Sequence, residues 1–300
     1  MQEKSTILIF GAGVIGSVYA VELSKAGYEV SVYARSGRLA ALQTKGLLYN
    51  EHGTVKKANV SIIDRLDDAT VYDYIFVTVR YEQSERAFEE LSSHPCPNVV
   101  TFINNPDGFV RWEYIVGRGR LIPAFAGAGG GIEDDVLYYC LTPALIQSTT
   151  FGEIDGRVTE RINRLATLFK TAKIPFSICS DMDSWLKSHL AIVLPLAQGV
   201  YSGGGNCKSV AGNSVAIRAI SFALKQNLQM LKHKGIMITP SKLNIIRLCP
   251  MPLLRFALKT VFRTRMAVNL IDKHTGSAKG EIDLLQKRFD ELVANEILKF

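Results

Sequence analysis

A glycine loop set between two apolar runs constrains this chain more than any other feature: ILIFGAGVIGSVYAVELSKAGYEVSVYARSGR, residues 7–38. Gly11, Gly13 and Gly16 directly follow a β-rich run and directly precede a stretch whose apolar residues recur at three and four. In this G-x-G-x-x-G spacing the first glycine allows a tight turn, and the second lets backbone approach a pyrophosphate. The third lets helix pack closely on strand, while the helix N-terminus offers oriented N–H groups to the anion. A lone motif of this kind is common in turns. Here strand, loop, helix and second strand arrive in order, so the stretch Gly11, Ala12, Gly13, Val14, Ile15, Gly16 reads as a dinucleotide cradle.

The end of the second apolar run bears on which dinucleotide. An acid about 20 residues on commonly takes the ribose 2′-hydroxyl of NAD. Here Arg35 stands in that place, followed by Ser36, Gly37 and Arg38. A guanidinium grips a 2′-phosphate that a carboxylate would repel, which makes NADP (as NADPH) the expected cofactor. The alternative is a solvated surface arginine. Arg80 ends the third apolar run, and strand C-terminal ends line the ligand crevice of open α/β sheets. It is therefore either a second cation for the cofactor or a surface partner of Glu82 or Glu85.

The runs STILIF, EVSVYA, YDYIFVTV and NVVTFI read as strands, alternating with periodic stretches such as YEQSERAFEELSS. That alternation predicts βαβ units, and hence an N-terminal Rossmann-type doubly wound sheet of α/β class. Residues 121–155 carry a glycine-rich turn and short β-like runs, expected as antiparallel strands at the sheet edge. The helix TERINRLATLFKTAKI follows, and then strand signal fades. SWLKSHLAIVLPLAQGVY, NSVAIRAISFALKQNLQMLKHKG, the run from Pro252 to Lys273 and KGEIDLLQKRFDELVANEILK read as helices. The expected organisation is an NADP-binding Rossmann domain over residues 1–178 and an all-helical substrate domain over 179–300.

Composition excludes rather than assigns. A hydrophobic fraction of 47% with 21% charged residues suits a globular core. The five cysteines form no CxxC pair, so no metal site or disulfide framework is expected and a reducing, cytoplasmic setting is the default. The start of the chain lacks the charged-then-apolar pattern of a signal peptide. HLAIVLPLAQGVY is too short to span a membrane and is interrupted by Pro195. The net charge of +7 would suit nucleic acid or any small anion, but no lysine block interleaves with aromatics. The expected partner is a small molecule, with neither nucleic acid nor membrane. The apolar helical stretches read as core, and a homodimer through them is left open.

Taken in order, these segments resemble the ketopantoate reductase (2-dehydropantoate 2-reductase) family over nearly the whole length. GAGVIGSVYA with its following arginine matches the family's start, and FINNPDG matches the asparagine turn after the fourth strand. SWLKSHLAIV matches the segment of the catalytic lysine, here Lys187, and GEIDLL that of the substrate-binding glutamate, here Glu281. The resemblance implies NADPH-dependent reduction of a 2-oxo acid or similar small ketone, with ketopantoate and pantothenate biosynthesis as the family reaction and setting. It implies Lys187 as general acid, Glu281 as a hydrogen-bond acceptor for a substrate hydroxyl, and Asn104, or Asn105 one residue later, as an amide holding the nicotinamide, the substrate or Lys187, the alternative being a plain turn cap. A non-catalytic NADP(H)-binding regulator and an opine-type dehydrogenase are the other readings.

The chain departs from that pattern at several points. Asparagines recur in the family one and two helical turns past the lysine, where this chain has Ala191 and Pro195; Asn269 stands where a serine is expected. His189 and His274 are offered instead, either of which could meet an anionic or hydroxylated substrate. Residues two apart do not share a helix face, so Lys187 and His189 both reach a site only at an irregular helix end or where the cleft wraps around the helix. AFAGAGGG reads either as backbone passing near the nicotinamide or as a flexible turn. Arg255, Lys259 and Arg263 read as a solvated cationic stripe.

Overall fold

The structure is a computed structural model and describes residues 5–67, 69–264, 267 and 279–294. Chain contacts divide it into two units, Met1–Ile103 with Phe109–Met182, and Asn104–Gly108 with Asp183–Phe300.

The first unit is built on β1 (Thr6–Phe10), α1 (Val14–Lys25), β2 (Glu29–Tyr33), α2 (Ser36–Lys45), β3 (Leu48–Glu51), β4 (Thr54–Lys57), β5 (Ser61–Ile63) and β6 (Tyr74–Val77). It continues through α3 (Ser84–Leu91), β7 (Val99–Thr101), α4 (Val110–Val116), β8 (Leu121–Phe125), β9 (Ala128–Glu133) and β10 (Val136–Leu141). A short α5 (Ala144–Gln147), β11 (Thr149–Phe151), α6 (Glu160–Thr171) and β12 (Phe176–Ile178) complete it. The main sheet runs β12-β11-β8-β7-β6-β1-β2-β5, and every pairing is parallel except β11 with β8. Its central strands read as continuous apolar runs because both faces are covered; Ile7, Leu8, Ile9, Ile75, Phe76 and Val77 are fully buried. Tyr19 of α1 and Phe169 of α6 meet Phe76 at 5.9 and 5.8 Å, while Phe88 of α3 meets Trp112 of α4 at 5.1 Å.

The edge assignment for residues 121–155 is corrected for all but β11, which runs antiparallel to β8 beside the edge strand β12. β8 is an interior strand parallel to β7, and β9 and β10 leave the main sheet for a second one, ordered β4-β3-β10-β9. Two turns make that sheet. His52-Gly53 and Asp134-Asp135 both have positive φ, the twist that joins β3 to β4 and β9 to β10 without splaying them. Gly130 is required there by close approach, since a Cβ would stand 2.2 Å from the Tyr138 carbonyl oxygen.

At the base of α6 the buried Glu153 carboxylate accepts from Arg161 Nε at 2.7 Å, and from a second Arg161 nitrogen and the Thr159 hydroxyl. Burial raises its pKa, but these hydrogen bonds and the guanidinium charge outweigh burial and hold it below the usual range. A depressed folded pKa contributes stability that is full above the unfolded value and is lost as pH falls through the folded one. Glu153→Gln is expected to cost about 3 kcal/mol at neutral pH, because it leaves Arg161 half-buried without its anion. Urea midpoints should show the gap to the parent closing as pH drops below the ordinary glutamate range.

The second unit is helical: α7 (Met182–Ser202), α8 (Cys207–Gly212), α9 (Ser214–His233), α10 (Asn244–Leu248), α11 (Met251–Phe262) and α12 (Lys279–Ala294). Asn206 and Asn213 cap α8 and α9, the latter accepting from Val215 and Ala216 N–H at 3.0 and 3.1 Å. Val200, Ile217, Ile220, Leu224, Leu254 and Phe262 form the core. Pro195 sits inside α7 and has no N–H for the Ala191 carbonyl. Asn227 of α9 donates to that carbonyl at 3.3 Å, so the lost rung is replaced by a side chain. No helix among the described residues is long and apolar enough to cross a membrane.

Candidate active site

The glycine loop is shaped by three different demands. Gly11 has φ +116°, a region L side chains avoid, and its N–H donates to Tyr33 O at 3.3 Å. Gly16 leaves no room: a Cβ would stand 1.9 Å from Gly11 O and 2.5 Å from Thr78 Oγ1, which itself donates to Gly11 O at 2.7 Å. Gly13 is open, with nothing within 4 Å of where a Cβ would be. It also begins α1, whose first turn has no acid and no side-chain cap. An open backbone face at a helix N-terminus free of carboxylates is what a pyrophosphate needs, so the residues present fit a dinucleotide. Ala12, Val14 and Ile15 complete the loop. Arg38 Nε donates to Ala12 O at 3.1 Å, and its burial lowers its pKa.

Arg35 lies just past β2. Its guanidinium stands over the rings of Phe10 and Tyr33, 5.7 and 5.1 Å from their centroids, and its Nε donates to Tyr33 Oη at 2.9 Å. It also pairs with Glu90, the acceptor for the Tyr33 hydroxyl as well. Arg80, exposed beyond β6, begins a 3-10 turn in which Gln83 accepts from its N–H at 3.4 Å. Glu85, one of its suggested partners, is gripped by Arg111 at 3.2 and 3.1 Å.

In the helical unit, Asn105 is buried and closes its own turn, donating to Gly108 O at 2.6 Å and accepting from Asp107 N at 2.9 Å. Asn104 differs: its Oδ1 is buried without a hydrogen-bond partner. Lys187 is buried, 9% exposed, and its Nζ lies 2.5 Å from Asp183 Oδ2 one turn back on α7. Asp183 Oδ1 is likewise buried and unpartnered, and a Cβ on Gly108 would stand 3.5 Å from it. Thus the far end of the asparagine turn, Asp183 and Lys187 meet within one unit.

α12 is tied to the same turn. Arg288 holds Asp107 at 3.2 and 3.1 Å, and Gln198 of α7 donates to Asp283 at 3.2 Å. Glu281 lies in the first turn of α12, and Lys279, two residues before it, has its ammonium over the Tyr201 ring at 5.8 Å. His189 is not brought to Lys187: it stacks on Trp185, rings 5.5 Å apart and 6° from parallel, on another face of α7. His274 and Asn269 lie outside the described residues. No cluster of His, Cys, Asp and Glu able to hold a metal occurs among the described residues.

Sequence reasoning missed Asp183, Arg288 and Glu90. The first had a visible signal, an acid four residues before a lysine on a helix. Glu90 and Arg35 are 55 residues apart, and no local pattern links them.

Residues 7–139 match the model of the family described as Ketopantoate reductase PanE/ApbA. That segment of the chain is therefore similar to the family's model. The similarity of fold extends over the whole length. A D-mandelate dehydrogenase solved with NADH and anilino(oxo)acetate superposes with TM-score 0.70 at 13% identity, over 96% of this chain and 98% of that one. The 2-dehydropantoate 2-reductases of Porphyromonas gingivalis W83 and Methylococcus capsulatus give TM-scores of 0.66 and 0.64, both at 16% identity. They cover 97% and 96% of this chain, and 98% and 94% of their own. No curated protein matches the chain. At such identities the neighbours establish the fold alone, and that likeness takes in both the matched segment and the helical second unit.

Proposed function

We propose that this protein is a nicotinamide-dependent oxidoreductase that reduces a 2-oxo acid or a similar small ketone, with NADPH as donor. The observation that carries the proposal is Lys187, a buried ammonium held by Asp183, in a chain whose residues 7–139 match the ketopantoate reductase family model. When bound, the dihydronicotinamide supplies the hydride. Reduction leaves negative charge on the carbonyl oxygen, and Lys187 meets it with charge and donates the proton from Nζ. Asp183 holds the ammonium in one rotamer. Asn104, its carbonyl oxygen unpaired, serves as a positioning amide, and Asn105 shapes the turn that presents it. Glu281 accepts a hydrogen bond from a substrate hydroxyl. Arg35, and Arg80 beside it in role, supply positive charge to the phosphates of the cofactor. Several neighbours in fold are named for 2-dehydropantoate or mandelate chemistry, which supports a 2-oxo acid as substrate class. The expected setting is the cytoplasm, with a homodimer as one assembly.

The test is loss of NADPH absorbance with a panel of 2-oxo acids that includes ketopantoate and benzoylformate. Turnover of at least one member is expected, and turnover of ketopantoate would place the protein in pantothenate biosynthesis. NADPH binding without turnover of any member would favour the non-catalytic regulator instead.

A further inference from the structure

Arg35 was expected to present a cation to the 2′-phosphate, yet a carboxylate already faces it. We propose that Glu90 sets the balance between NADPH and NADH by competing with the 2′-phosphate for the Arg35 guanidinium. The inference rests on the reading that a nicotinamide dinucleotide lies on the glycine loop, whose second strand ends at Tyr33 beside the adenosine ribose.

The three side chains form a closed set. Tyr33 is buried, 6% exposed, and its hydroxyl receives Arg35 Nε at 2.9 Å while donating to one oxygen of Glu90. The other oxygen of Glu90 takes the terminal nitrogen of Arg35. The guanidinium is thereby fixed in plane over two rings, and its anion-binding edge is turned to a resident acid. The pair remains within a ligand's reach, because the two side chains keep 42% and 29% of their exposure.

Glu90 lies in the last turn of α3, a turn without a basic residue, with Arg86 one turn earlier. A carboxylate at a helix C-terminus faces the negative end of the dipole and is helped by a facing cation. Arg35 fills that role, and this gives Glu90 a stake in keeping it. A bound 2′-phosphate brings a second anion to the same guanidinium, so either the two acids share it under mutual repulsion or Glu90 lets go. A ribose 2′-hydroxyl imposes no such conflict, and the Glu90 carboxylate can accept its hydrogen bond. The acid that NAD sites usually carry at the end of the second strand is thus supplied from α3, opposite an arginine suited to NADP. The parent protein should discriminate between the two dinucleotides by less than about tenfold.

The experiment titrates NADPH and NADH by their fluorescence into the parent, Glu90→Gln, Arg35→Ala and the double variant. Thermal unfolding of each confirms a folded sample. Glu90→Gln should tighten NADPH about tenfold and move NADH less than about threefold in either direction. In the Arg35→Ala background the same substitution should change NADPH affinity less than about threefold. Should Glu90→Gln fail to fold, Tyr33→Phe, which removes the hydroxyl that holds Glu90, should shift the ratio in the same direction by a smaller factor. An unchanged NADPH/NADH ratio in folded Glu90→Gln overturns the role of Glu90 and leaves dinucleotide binding standing. Failure of the parent and every variant to bind either dinucleotide overturns the cofactor reading and this inference with it.

Discussion

Lys187→Ala should lower kcat by about 10³-fold, the middle of the range for a positioned general acid, while leaving the NADPH dissociation constant where it was. The separation is expected because Lys187 belongs to the helical unit and the glycine loop to the other. Alanine opens a space where a buried side chain stood, so small primary amines added to the assay should restore part of the rate. A purely structural lysine would show no such rescue. On the proposed mechanism Asp183 acts through Lys187, so Asp183→Asn should lower kcat about tenfold, with Asp183→Glu recovering most of it. Retention of more than a tenth of parental kcat by Lys187→Ala would remove it from the role of acid.

Two glycines of the cradle should fail in opposite ways. A methyl on Gly16 would sit 1.9 Å from the Gly11 carbonyl oxygen, a backbone atom fixed by Thr78, so the loop and α1 must part. Gly16→Ala is expected to cost about 3 kcal/mol or more, read as a fall in the urea midpoint, and to lose dinucleotide binding with it. Gly13→Ala meets no protein atom and should cost under about 1 kcal/mol, mostly through the helix cap. Its methyl instead enters the face open to the pyrophosphate and should weaken NADPH at least tenfold. Equal stability losses at the two positions would contradict the geometry.

The part of the fold that local pattern encodes was readable. β1, α1, β2, β6 and β7 follow from apolar runs and glycine spacing, since strands buried on both faces and helices buried on one write distinct periods. The second sheet was not, because β10 pairs with β3 across Val136–Leu48 and Leu137–Tyr49, partners far apart in sequence. Nothing local to either strand marks the other. The candidate site divides the same way. Lys187 was found through family likeness, and Asp183 four residues earlier was within reach of helix geometry alone. Asn104 and Asn105 could not be separated by sequence, because only the closed turn shows which amide is spent on its own backbone. Glu90 was invisible, an ordinary acid on an amphipathic helix until the fold sets it against Arg35.

The proline in α7 ties three positions to one carbonyl. Ala191 is fully buried, so a larger amide there has no volume to enter without repacking. Pro195 frees the Ala191 carbonyl, and Asn227 on α9 donates to it. Asparagine at 195 would return the helical N–H and dispossess Asn227. Substitutions at the three positions should therefore be non-additive, a change at one altering the cost of a change at the next.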